Sequence, residues 1–514
     1  MPRENDTDRD DLAELRRRRE LTEDAARSEA VGKRHERGGR TARENVADLI
    51  DEGSWVEYGR YATAQQRARR SKEDLIANTP ADGLVVGTAT VEGTPTAVLA
   101  YDYTVLAGTQ GTAGHFKKDR MFELIERMRL PVVFFAEGGG GRPGDTDNPV
   151  VSALQVRAFA LWAKLSGHVP RISIVAGNCF AGNAVIAGCS DLIVATENSS
   201  LGMAGPAMIA GGGLGEVRAE EVGPVEVQAP NGVLDLVVED EEAAVAATKQ
   251  LLGYLRGPVE EWSAPDQAPL RDAVPESSRR AYDVMPIVRT IADEGSVTAL
   301  RESFAPELAT ALLRIEGRPV GVIANNCKHQ AGVVTGEAAD KAAHFMQLCD
   351  AFGLPVVSLI DTPGYMVGPE AEREALVRHC CRMLIAGAAL TVPTIAIVLR
   401  RGYGLGAQAM AFGSLHEPLL TAAWPDATLG PMGLEGAVRL AMRRELEAIE
   451  DEGEREQRVR ELTAQMYEHA QALNAAQIFE IDDVIDPAET RAVIARTLAA
   501  AGTPEPSGRT VDSW

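Results

Sequence analysis

An α/β fold built twice in tandem is predicted by two observations: landmarks that recur at near-constant spacing, and short apolar runs that alternate with helical stretches in each half. Glu92-Gly93-Thr94-Pro95 returns as Glu316-Gly317-Arg318-Pro319, and Leu130-Pro131-Val132-Val133 returns unchanged at Leu354-Pro355-Val356-Val357, both displaced by 224 (316 minus 92, 354 minus 130). Val169-Pro170-Arg171-Ile172 answers to Val392-Pro393-Thr394-Ile395 at 223, and Leu201-Gly202-Met203-Ala204-Gly205 to Leu429-Gly430-Pro431-Met432-Gly433 at 228. A period this long describes two copies of a domain rather than a solenoid unit.

In chain order, residues 1–50 form a charged arm in which Leu12 and Leu15 beside Arg16 to Arg19 predict an amphipathic docking helix, stopped by Gly38-Gly39. The first half then reads as strand over Ala97–Tyr103, helix over Phe116–Met128, strand over Val132–Phe135, helix over Val150–Leu165 and strand over Ile172–Ala176. The second repeats it with a strand over Val320–Ala324, a helix over Ala338–Phe352, a strand over Val356–Ile360, a helix over Ala371–Ala389 and a strand over Ile395–Leu399. Such alternation predicts parallel strands joined by crossover helices. A Pro-rich connector, Gly257 to Pro286, separates the halves; Glu445–Ala476 is charged and helical in period, and Gln477–Arg491 closes the chain. The expected boundaries are an arm over 1–50, a first domain over 51–260 and a second over 261–514.

At 514 residues and 45% hydrophobic content, each half is long enough for its own core. A net charge of −23 argues against nucleic acid, whose binding needs clustered Lys and Arg. The six cysteines show no C-x-x-C spacing and no secretory leader begins the sequence, so free, mostly buried thiols in a reducing cytoplasm are expected. No apolar run approaches the roughly 20 residues of a membrane span.

Each half places a glycine cluster after an apolar run and before a helix-compatible stretch: Gly177-Asn178-Cys179-Phe180-Ala181-Gly182-Asn183-Ala184, and Arg401-Gly402-Tyr403-Gly404-Leu405-Gly406-Ala407. Amides at such a turn lack intrahelical partners and attract negative oxygen. An offset of 223 sets Gly182 and Asn183 on Leu405 and Gly406, so each half offers the same main-chain pair as a candidate oxyanion hole. A duplicated structural turn with no chemical role would show the same pattern. Glu137-Gly138-Gly139-Gly140-Gly141-Arg142 and Asp361-Thr362-Pro363-Gly364-Tyr365 follow the preceding strands, which puts two loops of each half at the carboxyl edge of its sheet, where ligands of open α/β folds gather. Gly402-Tyr403-Gly404-Leu405-Gly406 lacks the G-x-G-x-x-G register of dinucleotide folds.

G-x-S-x-G, H-E-x-x-H and Walker-type glycine loops are missing, and His115, His329, His379 and His416 have no partner at metal-ligand spacing, so no metal is expected. The mechanism left is one in which backbone dipoles stabilise oxyanions while substrate and cofactor supply the reacting groups.

These residues resemble the carboxyltransferase (β) subunits of biotin-dependent acyl-CoA carboxylases, whose chains carry two crotonase-like domains of ββα-superhelix type. The resemblance spans Arg37 to Arg491 and rests on Gly39-Arg40-Thr41-Ala42-Arg43-Glu44, Tyr101-Asp102-Tyr103-Thr104-Val105, Arg318-Pro319-Val320-Gly321-Val322-Ile323-Ala324-Asn325 and Cys349-Asp350-Ala351-Phe352. It continues through Asp361-Thr362-Pro363-Gly364-Tyr365, Met432-Gly433-Leu434-Glu435-Gly436-Ala437-Val438 and Ile481-Asp482-Asp483-Val484-Ile485-Asp486-Pro487. It implies transfer of a carboxyl group from carboxybiotin to the α-carbon of an acyl-CoA thioester. By analogy the Gly182 and Asn183 amides hold the thioester oxygen and those of Leu405 and Gly406 the biotin carbonyl. Gly138, Gly139, Gly140, Ala204, Gly205 and Gln408 are implied acyl-CoA contacts; Gly364, Tyr365, Gly404 and Gly433 are implied biotin contacts.

Three turns depart from the family pattern. Glu137-Gly138-Gly139-Gly140-Gly141-Arg142 stands for Ser-Gly-Gly-Ala-Arg, Cys179-Phe180-Ala181-Gly182-Asn183 for Cys-Ala-Gly-Gly-Ala, and Tyr403-Gly404-Leu405-Gly406 for Tyr-Gly-Gly-Ala. With no biotinyl-lysine motif, the chain is expected to receive biotin in trans from a subunit bearing biotin carboxylase and biotin carboxyl carrier domains. The resemblance also implies a homodimer as the active unit, within a hexamer, with neither nucleic acid nor membrane as partner. A carboxyacyl-CoA decarboxylase subunit and a noncatalytic scaffold of a carboxylase complex share this fold and are the alternatives.

Overall fold

The structure, a computed structural model, describes residues 9–142, 144–147, 151–152, 154–277 and 280–514. It divides into two compact units, one ending at Gly253 and one running from Tyr254 to Asp512.

In the first unit the strands are β1 (Val56–Glu57), β2 (Leu84–Val91), β3 (Thr94–Tyr101), β4 (Val132–Phe135), β5 (Arg171–Val175), β6 (Asn178–Phe180), β7 (Leu192–Thr196), β8 (Ser200–Gly202) and β9 (Leu236–Val238). The second has β10 (Thr298–Leu300), β11 (Leu308–Ile315), β12 (Arg318–Asn325), β13 (Val356–Thr362), β14 (Thr394–Tyr403), β15 (Leu420–Ala423), β16 (Thr428–Gly430) and β17 (Asp483–Val484). The first sheet runs β1-β2-β3-β4-β5-β7-β9, with β6 and β8 as a separate pair; the second runs β10-β11-β12-β13-β14-β15-β17, with β16 on the end of β14. From β3 and from β12 onward the neighbours are parallel.

The duplication extends to single hydrogen bonds. The β2–β3 hairpin turns on Glu92 and Gly93 at φ +47° and +79°, and the β11–β12 hairpin on Glu316 and Gly317 at +51° and +75°. Two positive φ values in a two-residue loop match the right-handed twist of the strands. Both turns are capped by a carboxylate: Asp51 accepts the amides of Glu92 and Gly93 (2.9 and 2.8 Å), and Asp293 accepts those of Glu316 and Gly317 (3.0 and 2.7 Å).

The first core closes around Trp162, whose ring lies 5.0 Å from that of Phe122 and 5.7 Å from that of Phe134, centroid to centroid. Its indole N–H donates to the Ile186 carbonyl (2.8 Å), which satisfies the one polar atom of a wholly buried side chain. Below it Arg171 and Asp191, both buried, form a 2.7 Å ion pair that ties β5 to the start of β7.

Several element boundaries differ from the sequence reading. The expected strand to Tyr103 ends at Tyr101, because Asp102 turns the chain by accepting the Thr104 amide at 3.0 Å. Val150 lies outside the described residues, and among the described ones the helix expected from there runs Ala158–Lys164; upstream, Asp145 accepts the amide of Thr112 and Asp147 that of Arg67 (both 2.8 Å). The helix expected over 371–389 is two, Pro369–Arg373 and Leu376–Ala388, broken where Ala375 takes a left-handed conformation (φ 59°, ψ 34°). The helical stretch from Glu445 becomes Arg443–Glu447, Glu452–His469 and Ala472–Gln477, the middle one started by Asp451, which accepts the Glu454 amide at 2.8 Å.

The Pro-rich connector carries regular structure among its described residues. It contains a 3₁₀ turn, Ala268–Asp272, and the start of helix Met285–Ile291. In the arm, residues 1–8 lie outside the described ones; helix Asp10–Glu20 buries no residue and leaves Leu12 and Leu15 exposed, so that helix does not dock through an apolar face within the chain. Ion pairs seat the arm instead, as described below. Cys179, Cys327, Cys349 and Cys380 are free and buried, as expected for most of the cysteines; Cys381 is exposed.

Candidate active site

In the first unit the chain leaves β6, reverses at Ala181 and enters helix Gly182–Gly188. Ala181 sits at φ 52°, ψ −122°, a region that an L side chain enters only under strain. Its amide donates to the Gly202 carbonyl (3.1 Å), and the first intrahelical bond runs from the Val185 amide to the Ala181 carbonyl (2.9 Å). The amides of Gly182 and Asn183 therefore precede the helical ladder, and among the described residues neither has an acceptor.

The second unit repeats the turn: β14 leads to Gly404 at φ 61°, where a glycine carries the positive φ without strain, and helix Gly404–Met410 follows. Tyr403 pairs with Gly430 as Phe180 pairs with Gly202, so Leu405 and Gly406 fall on Gly182 and Asn183, as the offset predicts. Their amides likewise have no acceptor among the described residues.

The neighbouring loop also matches. The Gln110 amide donates to the Gly140 carbonyl (2.6 Å) and the Arg142 amide to the Gln110 carbonyl (3.0 Å); in the second unit Val334 and Gly364 make the first bond (3.0 Å) and Met366 and Val334 the second (2.9 Å). Gly140 and Gly364 are thus equivalent, each with positive φ. A Cβ on Gly406 would lie 2.5 Å from the Gly364 carbonyl carbon and 2.8 Å from the Tyr365 nitrogen, so glycine at 406 lets the cradle touch that loop.

At both sites a carboxylate at the strand end bolts the loop down. Glu137 receives both arms of the Arg34 guanidinium (2.7 and 3.0 Å), and Arg34 also reaches Glu241 (3.1 Å). Arg27 of the same arm pairs with Asp102 at 2.8 Å. Burial pushes the Glu137 carboxyl up to about 7, against the pull of Arg34. Asp361 receives Arg400 (2.9 Å), Arg401 (2.6 Å) and the Tyr282 hydroxyl (2.9 Å). Arg142, beside the predicted contact loop, is engaged with Asp82 and Thr109 inside the unit.

The other predicted residues divide by position. The Gly138 amide donates to the Asn178 carbonyl (2.7 Å) and the Gly139 amide to the Ala107 carbonyl (3.2 Å), so neither N–H is available to a ligand. Gly205 packs under the Phe180 ring, where a Cβ would meet Cδ2 at 3.1 Å, and this sets Ala204 and Gly205 beside the first cradle. Gly404, Leu405 and Gln408 line a cavity of about 950 Å³ in the second unit, together with Leu434, Met466 and Ile478. Gly433 precedes helix Leu434–Ala441, and the Tyr365 hydroxyl donates to the Cys380 carbonyl at 3.4 Å.

Sequence reasoning did not single out Arg34, Gln110 or Lys118, whose Nζ donates to Gln110 Oε1 at 2.6 Å, and it read Asp361 only as the start of the loop after its strand. One signal was available: the 224 offset sends Lys117 to Lys341 but Lys118 to Ala342, a charge present in one copy alone.

The family model of the carboxyl transferase domain matches residues 33–506. The chain belongs to that family. It is a carboxyltransferase of the biotin-dependent acyl-CoA carboxylases, built on two crotonase-like domains. The methylmalonyl-CoA carboxyltransferase 12S subunit of Propionibacterium freudenreichii subsp. shermanii is 34% identical over 96% of this chain and 94% of its own. The propionyl-CoA carboxylase beta chain of Saccharopolyspora erythraea is 32% identical over 95% and 92%. The solved transcarboxylase 12S hexamer, with methylmalonyl-CoA and methylmalonic acid bound, gives a TM-score of 0.86 at 31% identity, covering 99% of this chain and 98% of that one. A single-chain, multi-domain long-chain acyl-CoA carboxylase gives 0.91 at 53% identity, covering 96% of this chain but 49% of that one, so this carboxyltransferase spans about half its length. No helix among the described residues is long and apolar enough to cross a membrane.

Proposed function

We propose that this carboxyltransferase acts on a long-chain acyl-CoA, with the Gly182 and Asn183 amides on the thioester oxygen and the Leu405 and Gly406 amides on the ureido oxygen of biotin. The observation that carries this reading is the pair of equivalent turns, each presenting two successive main-chain donors without an acceptor among the described residues. Donors aimed in advance at an oxygen that turns negative act without reorganisation, and losing one commonly costs about 3 kcal/mol of barrier. Carboxybiotin, delivered by a carrier domain on another polypeptide, supplies the carboxyl group. The second turn fits such a group: its donors are backbone N–H, its glycines leave room for close approach, and Gly404 and Leu405 border the cavity of about 950 Å³.

The long chain is favoured by the 53% identity to the long-chain carboxylase, against 34% and 32% for the methylmalonyl- and propionyl-CoA relatives. Assembly follows the hexameric relative, with a second copy of the chain completing each site. Gly140, Ala204, Gly205 and Gln408 are proposed as acyl-CoA contacts, and Gly364, Tyr365 and Gly433 as biotin contacts; Gly138 and Gly139 would act through shape rather than through their N–H groups.

Fixation of isotopic bicarbonate into propionyl-, octanoyl- and palmitoyl-CoA, with a biotin-bearing carboxylase partner and ATP, tests this. Greatest kcat/KM with palmitoyl-CoA is expected. Preference for propionyl-CoA would overturn the chain length, and incorporation into none of the three would overturn the reading as a whole.

A further inference from the structure

Beneath the first cradle runs a line of buried polar side chains, Lys118, Gln110 and Asn183, whose aligned positions in the second unit carry Ala342, Val334 and Gly406. Lys118, on helix Thr112–Met128 and fully buried, donates from Nζ to Gln110 Oε1 at 2.6 Å. Gln110 donates from Nε2 to Asn183 Oδ1 at 2.6 Å, and Asn183 donates from Nδ2 to the carbonyls of Glu137 (2.6 Å) and Gly108 (3.2 Å). Each donor in the series faces the same way, so the Lys118 Nζ–H at its head polarises both amides in turn. The rings of Tyr101 and Phe159 flank Nζ, each centroid 5.8 Å away. Gln110 lies directly against the cradle, since a Cβ on Gly182 would stand 2.8 Å from its Nε2.

The second unit builds the same turn without any of these side chains. Offsets of 224 and 223 carry Lys118 to Ala342, Gln110 to Val334 and Asn183 to Gly406, yet the main chain of Val334 makes the same two bonds as that of Gln110. The carbonyls equivalent to those of Gly108 and Glu137 are taken there by Asn325 Nδ2 (to Gly332, 3.2 Å) and Cys327 Sγ (to Asp361, 3.3 Å), so the bonds of Asn183 have a structural counterpart, whereas those of Lys118 and Gln110 have none among the described residues. Lys117 shows the contrast: it and its counterpart Lys341 both donate to backbone carbonyls, Ala81 and Leu84 in one unit, Arg301 and Phe304 in the other. A wholly buried ammonium is costly, and burial pushes Lys118 down to about 7. Lys341 of the second unit is equally buried and is also pushed down to about 7, so burial does not set Lys118 apart. What does is that Lys118 donates to a side-chain amide joined to the cradle where Lys341 donates to backbone carbonyls, and that arrangement fits a role in the chemistry.

We propose that Lys118, acting through Gln110 and Asn183, is a positioning residue for the first cradle: it fixes the Gly182 and Asn183 amides and adds positive potential where the thioester oxygen becomes negative. This rests on the assignment of that cradle to the thioester.

The test uses the full chain and palmitoyl-CoA carrying ¹³C at the thioester carbonyl, read by isotope-edited infrared difference spectroscopy. Bound to the unaltered chain, the carbonyl stretch is expected below its value in free solution. Lys118→Met should lose at least about half of that downshift, and lower kcat about tenfold to a hundredfold with KM within about threefold. A double variant, Lys118→Ala with Gln110→Val, takes the residues the second unit carries at these positions and keeps Asn183 on the Gly108 and Glu137 carbonyls; it should fold, bind and show little downshift. An unchanged downshift in either variant overturns the inference and leaves the proposed function standing. Failure of the double variant to fold makes the line structural and also overturns it. A carbonyl stretch not lowered in the unaltered chain removes the cradle assignment itself.

Discussion

Gly406→Ala puts the second cradle to the sharpest test. The added methyl would stand 2.5 Å from the carbonyl carbon of Gly364, 2.8 Å from its Cα and 2.8 Å from the nitrogen of Tyr365. All three are backbone atoms, so no rotamer change relieves the contact, and the Gly404–Met410 turn and the Gly364–Tyr365 loop must move apart. A shift of that kind misdirects the Leu405 and Gly406 amides, and loss of one such donor is worth about 3 kcal/mol, roughly a hundredfold in kcat. The equivalent change in the first cradle, Gly182→Ala, meets side chains instead, Gln110 Nε2 at 2.8 Å and Phe159 Cζ at 3.1 Å. Those can yield, and a fall of roughly tenfold, about 1.4 kcal/mol, is expected there. Gly188→Ala is the control, because a Cβ there meets nothing within 4 Å. The assay is isotopic carboxyl transfer from the carboxylated carrier, with circular dichroism and thermal melts on each protein. A folded Gly406→Ala enzyme working within about threefold of the unaltered rate would refute the reasoning, since the cradle would then tolerate displacement that preorganised donors cannot.

Three further outcomes are expected. Arg171→Met strands the Asp191 carboxylate in a buried site and should destabilise the first unit by about 3–5 kcal/mol in urea unfolding; a loss under about 1 kcal/mol would show that the pair contributes little. Trp162→Ala removes the ring that joins Phe122 and Phe134 and should cost about 3–5 kcal/mol, visible as a lower denaturation midpoint at unchanged slope. Glu137 has its folded pKa raised to about 7 from an ordinary 4.5, so the folded state binds the extra proton between those values. Its contribution is complete below about 4.5 and lost as pH rises through about 7. The stability of Glu137→Gln relative to the unaltered chain should therefore climb between those pH values and level off above 7, and a flat difference would contradict the raised value.

Much of this molecule was legible from one-dimensional pattern because its duplication writes each local rule twice. The glycine clusters mark strand-to-helix reversals, whereas Glu92-Gly93 and Glu316-Gly317 were legible only as landmarks of the repeat, and the structure makes them two-residue hairpin turns with positive φ. Spacing alone then set Gly182 and Asn183 on Leu405 and Gly406, and the paired strands β6–β8 and β14–β16 show that register.

Other features were settled by contacts far apart in sequence. Helix Pro369–Arg373 stops short because Ala375 turns left-handed, which no apolar period signals. Whether a charged residue reaches solvent or a partner depends on what the fold brings beside it: Arg34 finds Glu137 across 103 positions, and Arg401 finds Asp361 across 40. Lys118 reads in sequence as one more helix lysine; its burial against Gln110, and through it Asn183, exists only once three separate segments are packed together. Local backbone preferences act over a few residues and leave their mark in the order of amino acids, whereas desolvation and charge pairing are properties of neighbours in space, and those the tertiary structure alone decided.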